Sequence, residues 1–241
     1  MRSYKRYTRR KRLLNHIVVV ALVFILGLVL LRAVSYIAIQ GEIPMNNSFN
    51  LFRREADTSF GWNLILVNDD YRIPRNYEVE LTELSNGEKV DSRIYPQLQQ
   101  MFDDARTEGL ELFVREGYRT TQDQKNIMNE RIQKYQDEGY SRWEAKERAE
   151  EYVAEPGTSE HELGIAVDIN ADTSKCSADA VYTWLANNAY KYGFIKRYPD
   201  DKTEITGVNN EPWHYRYVGV DSAIEMQEKG LCLEEYIESL R

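Results

Sequence analysis

From Ser159 to Asp168 the chain reads Ser-Glu-His-Glu-Leu-Gly-Ile-Ala-Val-Asp, and this stretch restricts the fold more than any other. Ile165, Val167 and Ile169 alternate with Ala166 and Asp168, the period of a strand with one face on a core. Asp168 therefore falls on the face away from the aliphatic core, seven residues after His161 in a polar turn. Any fold of this chain must hold a strand here whose open face carries a carboxylate.

A second stretch, Glu211-Pro212-Trp213-His214, leads into Trp213 to Val218, which reads as a strand with His214, Arg216 and Val218 on one face. The chain has three histidines, and His16 lies in an apolar N-terminal segment. Both histidines left to a folded domain thus fall in these two stretches. Two imidazoles and one carboxylate, His161, Asp168 and His214, suit zinc in a hydrolytic site, which takes three protein ligands and keeps a fourth position for water. Glu211 and His214 would face opposite ways in a regular strand; Pro212 supports a bend that aims both inward, where a carboxylate can act as general base. Arg119, a permanent forked cation, suits stabilisation of an oxyanion. Each residue also has a plainer role: a core histidine, a turn cap at Asp168, a surface charge at Glu211, an ordinary ion pair at Arg119. Gln124 fits a capping box begun by Thr121, and Ser159 fits a turn. Taken jointly, the plain readings lose ground.

The N-terminus sets topology. Seven of the first twelve residues are Arg or Lys with no acid among them, and a largely apolar run from Leu13 to Ile39 follows, enough for a bilayer that needs roughly 20 apolar residues. The positive-inside bias puts 1–12 in the cytoplasm, 13–39 across the membrane as a signal anchor, and the rest outside. A cleaved signal peptide is the alternative; the weak small-residue site at Ala33-Val34-Ser35 favours the anchor. Residues 1–32 take eight of the 31 basic groups, which leaves 23 against 39 acidic ones, a balance near −16. So acidic an exported part argues against nucleic acid as a partner. Cys176 and Cys232 are the only cysteines and allow either a disulfide or two buried thiols.

Residues 40–60 mix Gly, Pro, Asn and charge without a period and read as a linker, with one folded domain over 61–241. Leu64–Val67 and Tyr77–Leu81 suggest extended segments. Leu98, Met101, Phe102 and Ala105 mark one face of a helix, with Pro96 in its first turn and Gly109 past its end. A strand at Leu110–Val114 precedes Gly117-Tyr118-Arg119-Thr120. Two polar helices follow, one from Thr121 to Gly139 and one opened by a Ser141–Glu144 capping box. A helix from Ser177, a polar turn-rich span 196–210, and closing helices at 221–230 and 233–240 complete an α+β pattern without repeats or a phosphate-binding glycine loop.

These motifs together, Gly117-Tyr118-Arg119-Thr120 with Gln124, Ser159-x-His161-x-x-Gly164-x-Ala166-x-Asp168, and Glu211-x-Trp213-His214, resemble the VanY-type zinc D-alanyl-D-alanine carboxypeptidases. The resemblance spans roughly Gly61 to Leu233 and implies the α+β fold of the hedgehog/DD-peptidase type. It implies His161, Asp168 and His214 as zinc ligands, Glu211 as catalytic base, Arg119 as the group steadying the polarised carbonyl, and Gln124 and Ser159 as pocket residues. The implied substrates are peptidoglycan stem peptides, with an L,D-carboxypeptidase or a non-catalytic wall-binding domain of the same fold as alternatives. Glu116 departs from the small residue common before Gly-Tyr-Arg. The sequence is silent on oligomeric state.

Overall fold

The computed structural model describes residues 53–241. The basic segment 1–12, the anchor 13–39 and the linker as far as residue 52 lie outside the described residues. Among the described residues no helix is long and apolar enough to cross a membrane.

Strand β1 (Arg54–Glu55) pairs in parallel with β2 (Tyr71–Arg72). Ala56, next to β1, is buried in the main core, so residues ahead of Gly61 also pack into it. A two-residue strand has no apolar period to announce it. Leu64–Val67 forms no strand: Leu64 and Leu66 pack into one apolar cluster, Ile65 and Val67 into another. The segment is the seam between two cores.

A hairpin of β3 (Leu81–Glu83) and β4 (Lys89–Asp91) leads to α1 (Tyr95–Thr107), which has Pro in its first turn and buries Leu98, Met101 and Ala105 as its spacing requires. Strand β5 (Leu112–Glu116) follows, then α2 (Thr121–Asp137) and α3 (Arg142–Glu150). The capping box of α3 is the Ser141–Glu144 pair read from sequence. That of α2 is set by Thr120 and Asp123 instead of Thr121 and Gln124, a shift of one residue that releases the Gln124 side chain for the interior.

A 3₁₀ turn over Glu160–Leu163 ends at Gly164, whose φ of 74° belongs to the left-handed region that glycine tolerates. Then come β6 (Ala166–Ala171), α4 (Ala178–Asn188) capped by Ser177, β7 (Phe194–Lys196), the short α5 (Thr203–Thr206), β8 (His214–Tyr217), α6 (Val220–Lys229) and α7 (Leu233–Ser239). The principal sheet has the order β5-β6-β8-β7, antiparallel throughout. Val114, Val167, Ile169, Phe194 and Tyr215 from its strands share a core with Leu98 and Met101 of α1 and Val181 and Leu185 of α4. This is the expected α+β architecture, with the opposite face of the strands left for polar groups. Cys176 and Cys232 are both free thiols, which removes the disulfide alternative.

Candidate metal centre and active site

Asp168 of β6 and His214 of β8 are register partners across the sheet, and Glu116 of β5 is the partner of Asp168 on its other side. One row across three strands therefore reads Glu116, Asp168, His214. The row depends on a bulge: between Val114 and Glu116 strand β5 has one residue more than β6, and the extra residue is Arg115.

The 3₁₀ turn brings His161 to the end of this row. His161 Nε2 lies 3.4 Å from Asp168 Oδ1, and His214 Nδ1 lies 2.9 Å from the same oxygen. The rings meet edge to face with centroids 4.9 Å apart. One donor atom from each of His161, Asp168 and His214 falls within 4.8 Å of the others.

The remaining ring nitrogens settle which atoms are free. His161 Nδ1 is 2.8 Å from the carbonyl oxygen of Gly117, which can only accept, so Nδ1 carries the proton and the Nε2 lone pair is turned to Asp168. His214 Nε2 faces a carboxylate oxygen of Glu160 at 3.5 Å, leaving Nδ1 for the centre. Each imidazole is thus held from behind in the manner of a metal-ligating histidine. Two nitrogens and one carboxylate at this spacing fit zinc, whose hydrolytic sites take three protein ligands and a water.

Electrostatics match the arrangement. Burial would raise Asp168, but the charges and hydrogen bonds of His161 and His214 hold it well below the usual carboxylate range. Burial, joined by the Arg119 charge, pushes His161 down. At His214 burial works against the imidazolium, yet hydrogen bonds to Asp168 and Glu160 and their charges outweigh it and carry the pKa up to about 9.

Glu211 sits in the turn that precedes β8, since the strand starts at His214 and not at Trp213. That turn, closed by His214 N–H donating to Glu211 O, brings Glu211 Oε2 to 3.8 Å from His214 Nδ1. The bend expected at Pro212 therefore does aim both inward. Burial pushes the Glu211 carboxyl up, as does the Asp168 charge, with His214 opposing.

Arg119 lies on the other flank. Its backbone N–H donates to His161 O, its Nε to Glu116 Oε1 at 2.9 Å and its Nη1 to Gln124 Oε1 at 3.2 Å, while Nη2 lies 4.0 Å from Asp168 Oδ2. Gln124 is buried and donates to the carbonyl of Ala154, so it fixes the guanidinium to the loop before the 3₁₀ turn. Glu116 is thereby a partner of Arg119. Ser159 is buried just before that turn and gives Glu162 a backbone acceptor, with no side-chain capping bond.

Sequence reasoning missed a second tier. Glu160, Arg197 and Arg216 are all buried, and both guanidiniums donate to Glu160 Oε1 at 2.8 Å. Arg197 stands in the span read as polar and turn-rich, where nothing in the local pattern marks it as interior. Arg216 did leave a signal: it shares the face of His214 with Val218, and an arginine buried on that face requires an anion.

A family model described as VanY, D-alanyl-D-alanine carboxypeptidase, matches residues 87–220. A D-alanyl-D-alanine carboxypeptidase of Enterococcus faecalis is 53% identical over 196 residues, 81% of this chain and 73% of the relative. The structure also resembles VanYB in complex with D-alanine-D-alanine, with a TM-score of 0.73 and 56% identity over 75% of this chain and 99% of the other. A mutant VanY D,D-pentapeptidase from a VanB-type resistance cassette, solved with Zn(II), superposes with a TM-score of 0.71 at 57% identity, covering 73% of this chain and 99% of that one.

Proposed function

The chain belongs to the VanY family of D-alanyl-D-alanine carboxypeptidases, and on that premise we propose that it is a zinc enzyme removing the terminal D-alanine from peptidoglycan stem peptides. The observation that carries the reading is the meeting of His161, Asp168 and His214 donor atoms within 4.8 Å, flanked by Glu211 and Arg119. Zinc, when bound, supplies Lewis acidity to the scissile carbonyl and to water. His161, Asp168 and His214 hold it. Glu211 takes the proton of the attacking water and returns it to the departing amine; its raised pKa suits a group that must both accept and donate. Arg119, steadied by Glu116 and Gln124, offers its remaining N–H groups to the oxyanion. Gln124 and Ser159 shape the pocket beside it.

A non-catalytic wall-binding role is disfavoured because Glu211 and Arg119 accompany a complete ligand set. Glu211→Gln tests the reading: zinc content stays at one per chain while kcat falls by ~10²–10⁴-fold. Turnover within tenfold of the parent removes Glu211 from the mechanism. The sequence of residues 1–39 supports a single-pass membrane anchor with the catalytic domain outside the cell.

A further inference from the structure

Glu160 is buried and unable to reach solvent, yet it meets two cations and one imidazole. Its Oε1 accepts from Arg197 Nε and Arg216 Nη1, both at 2.8 Å, and its Oε2 is turned to His214 Nε2 at 3.5 Å. The guanidiniums are themselves anchored. Arg197 donates Nη2 and Nη1 to the two carboxylate oxygens of Glu234 in α7, at 2.6 and 2.9 Å. Arg216 donates Nη2 to the carbonyls of Asn63 and Ile65 and Nε to that of Tyr217. Tyr198 lies against the His214 ring with centroids 5.1 Å apart.

A buried ion pair contributes little net stability over well-packed apolar groups, because desolvation consumes the Coulombic gain. Stability alone thus gives a weak reason for this network, whereas its position behind His214 gives a direct one. For His214 to present Nδ1 to a metal, its proton must sit on Nε2 and be accepted there. The Oε2 of Glu160 faces that atom. Without the carboxylate, Nε2–H would be buried without this acceptor, and Arg216, whose other partners are backbone carbonyls, would stand without a counter-charge beside a ring that must bind a dication.

We propose that Glu160 is a positioning residue for the metal centre: its carboxylate accepts the Nε2 proton of His214, fixes the tautomer and ring orientation, and screens the ring from Arg197 and Arg216. This rests on the zinc reading above.

The test is zinc affinity of the full-length chain by competition with a chromophoric chelator, together with the visible spectrum of the cobalt-substituted protein. Glu160→Gln should weaken zinc by ~10–100-fold and change the cobalt spectrum, and Glu160→Asp should recover part of the loss. Glu234→Gln, which loosens Arg197 without touching His214, should lower Tm while zinc affinity stays within about twofold. If Glu160→Gln does not fold, the double variant Glu160→Gln/Arg216→Met removes a stranded cation and is expected to show the same zinc loss. Zinc affinity within about twofold of the parent in folded Glu160→Gln, or in the double variant, overturns the proposal, and so does a loss in Glu234→Gln equal to that in Glu160→Gln. A parent chain that binds no zinc would instead strike down the zinc reading, and this inference with it.

Discussion

Gly117→Ala is a one-carbon change outside the ligand set that should damage both the fold and the metal site. A Cβ at Gly117 would lie 2.2 Å from the carbonyl oxygen of Lys89, where ordinary contact begins near 3.4 Å, so the backbones must part by about 1.2 Å. Gly117 is not among the positive-φ glycines, so the cost is steric and not conformational. Three hydrogen bonds converge on the displaced segment: Tyr118 N–H to Lys89 O at 2.6 Å, Gly117 N–H to Glu88 Oε2 at 2.8 Å, and His161 Nδ1–H to Gly117 O at 2.8 Å. If the shift falls on Gly117, the last of these stretches towards 4 Å and is lost. Weakening two or three such bonds at about 1 kcal/mol each, with overpacking of similar size, gives roughly 2–4 kcal/mol. For a domain of this size that is a fall in Tm of roughly 5–15 °C. Losing the acceptor behind His161 should also weaken zinc by ~10-fold or more. Thermal unfolding with and without chelator, combined with zinc competition, measures both. A variant with Tm within about 2 °C and unchanged zinc affinity would refute the role given to the Gly117 carbonyl and the close approach of Lys89.

The metal-free protein should show a pH signature. His214 is raised from 6.5 to about 9, so zinc must displace its proton, and apparent zinc affinity should climb by about tenfold per pH unit from pH 7 towards 9 and then flatten. The same raised pKa means that the stability contributed by protonated His214 in the metal-free state is full below pH 6.5 and lost as pH rises through 9. Chelator-treated protein melted across pH 6–10 checks the sign, and calorimetric proton release of about one per zinc at pH 7 checks the stoichiometry; burial shifts His161 down, so it contributes less than a free imidazole would. Arg119→Lys keeps the charge but not the fork that meets Glu116 and Gln124, and kcat should fall by ~10²-fold or more with zinc content unchanged. Steady-state kinetics with the metal quantified decides it; a parent-like kcat would remove Arg119 from oxyanion stabilisation.

Much of the scaffold was legible because periodicity reports burial. Leu98, Met101 and Ala105 bury as a helical face must, and the alternation around Val167 and Ile169 places Asp168 on the open side of β6. Leu64–Val67 misled because four apolar residues in a row look like a strand. Their alternation instead serves two clusters on opposite sides, and the carbonyls of Asn63 and Ile65 find the Arg216 guanidinium in place of a neighbouring strand. In the candidate site, the residues that meet at the centre carried recognisable spacings. Glu160 and Arg197 did not, because a buried ion pair between positions 37 apart leaves no local period, and each residue taken alone reads as a surface charge.

The central claim concerns one peptide bond. The full-length chain, supplied with zinc, is incubated with a stem pentapeptide ending in D-alanyl-D-alanine and separately with the tetrapeptide ending in a single D-alanine, and the products are weighed. The account predicts that the pentapeptide loses one D-alanine, that a chelator abolishes the loss and added zinc restores it, and that the tetrapeptide is left whole. An intact pentapeptide, or a tetrapeptide trimmed in preference to it, would contradict the account.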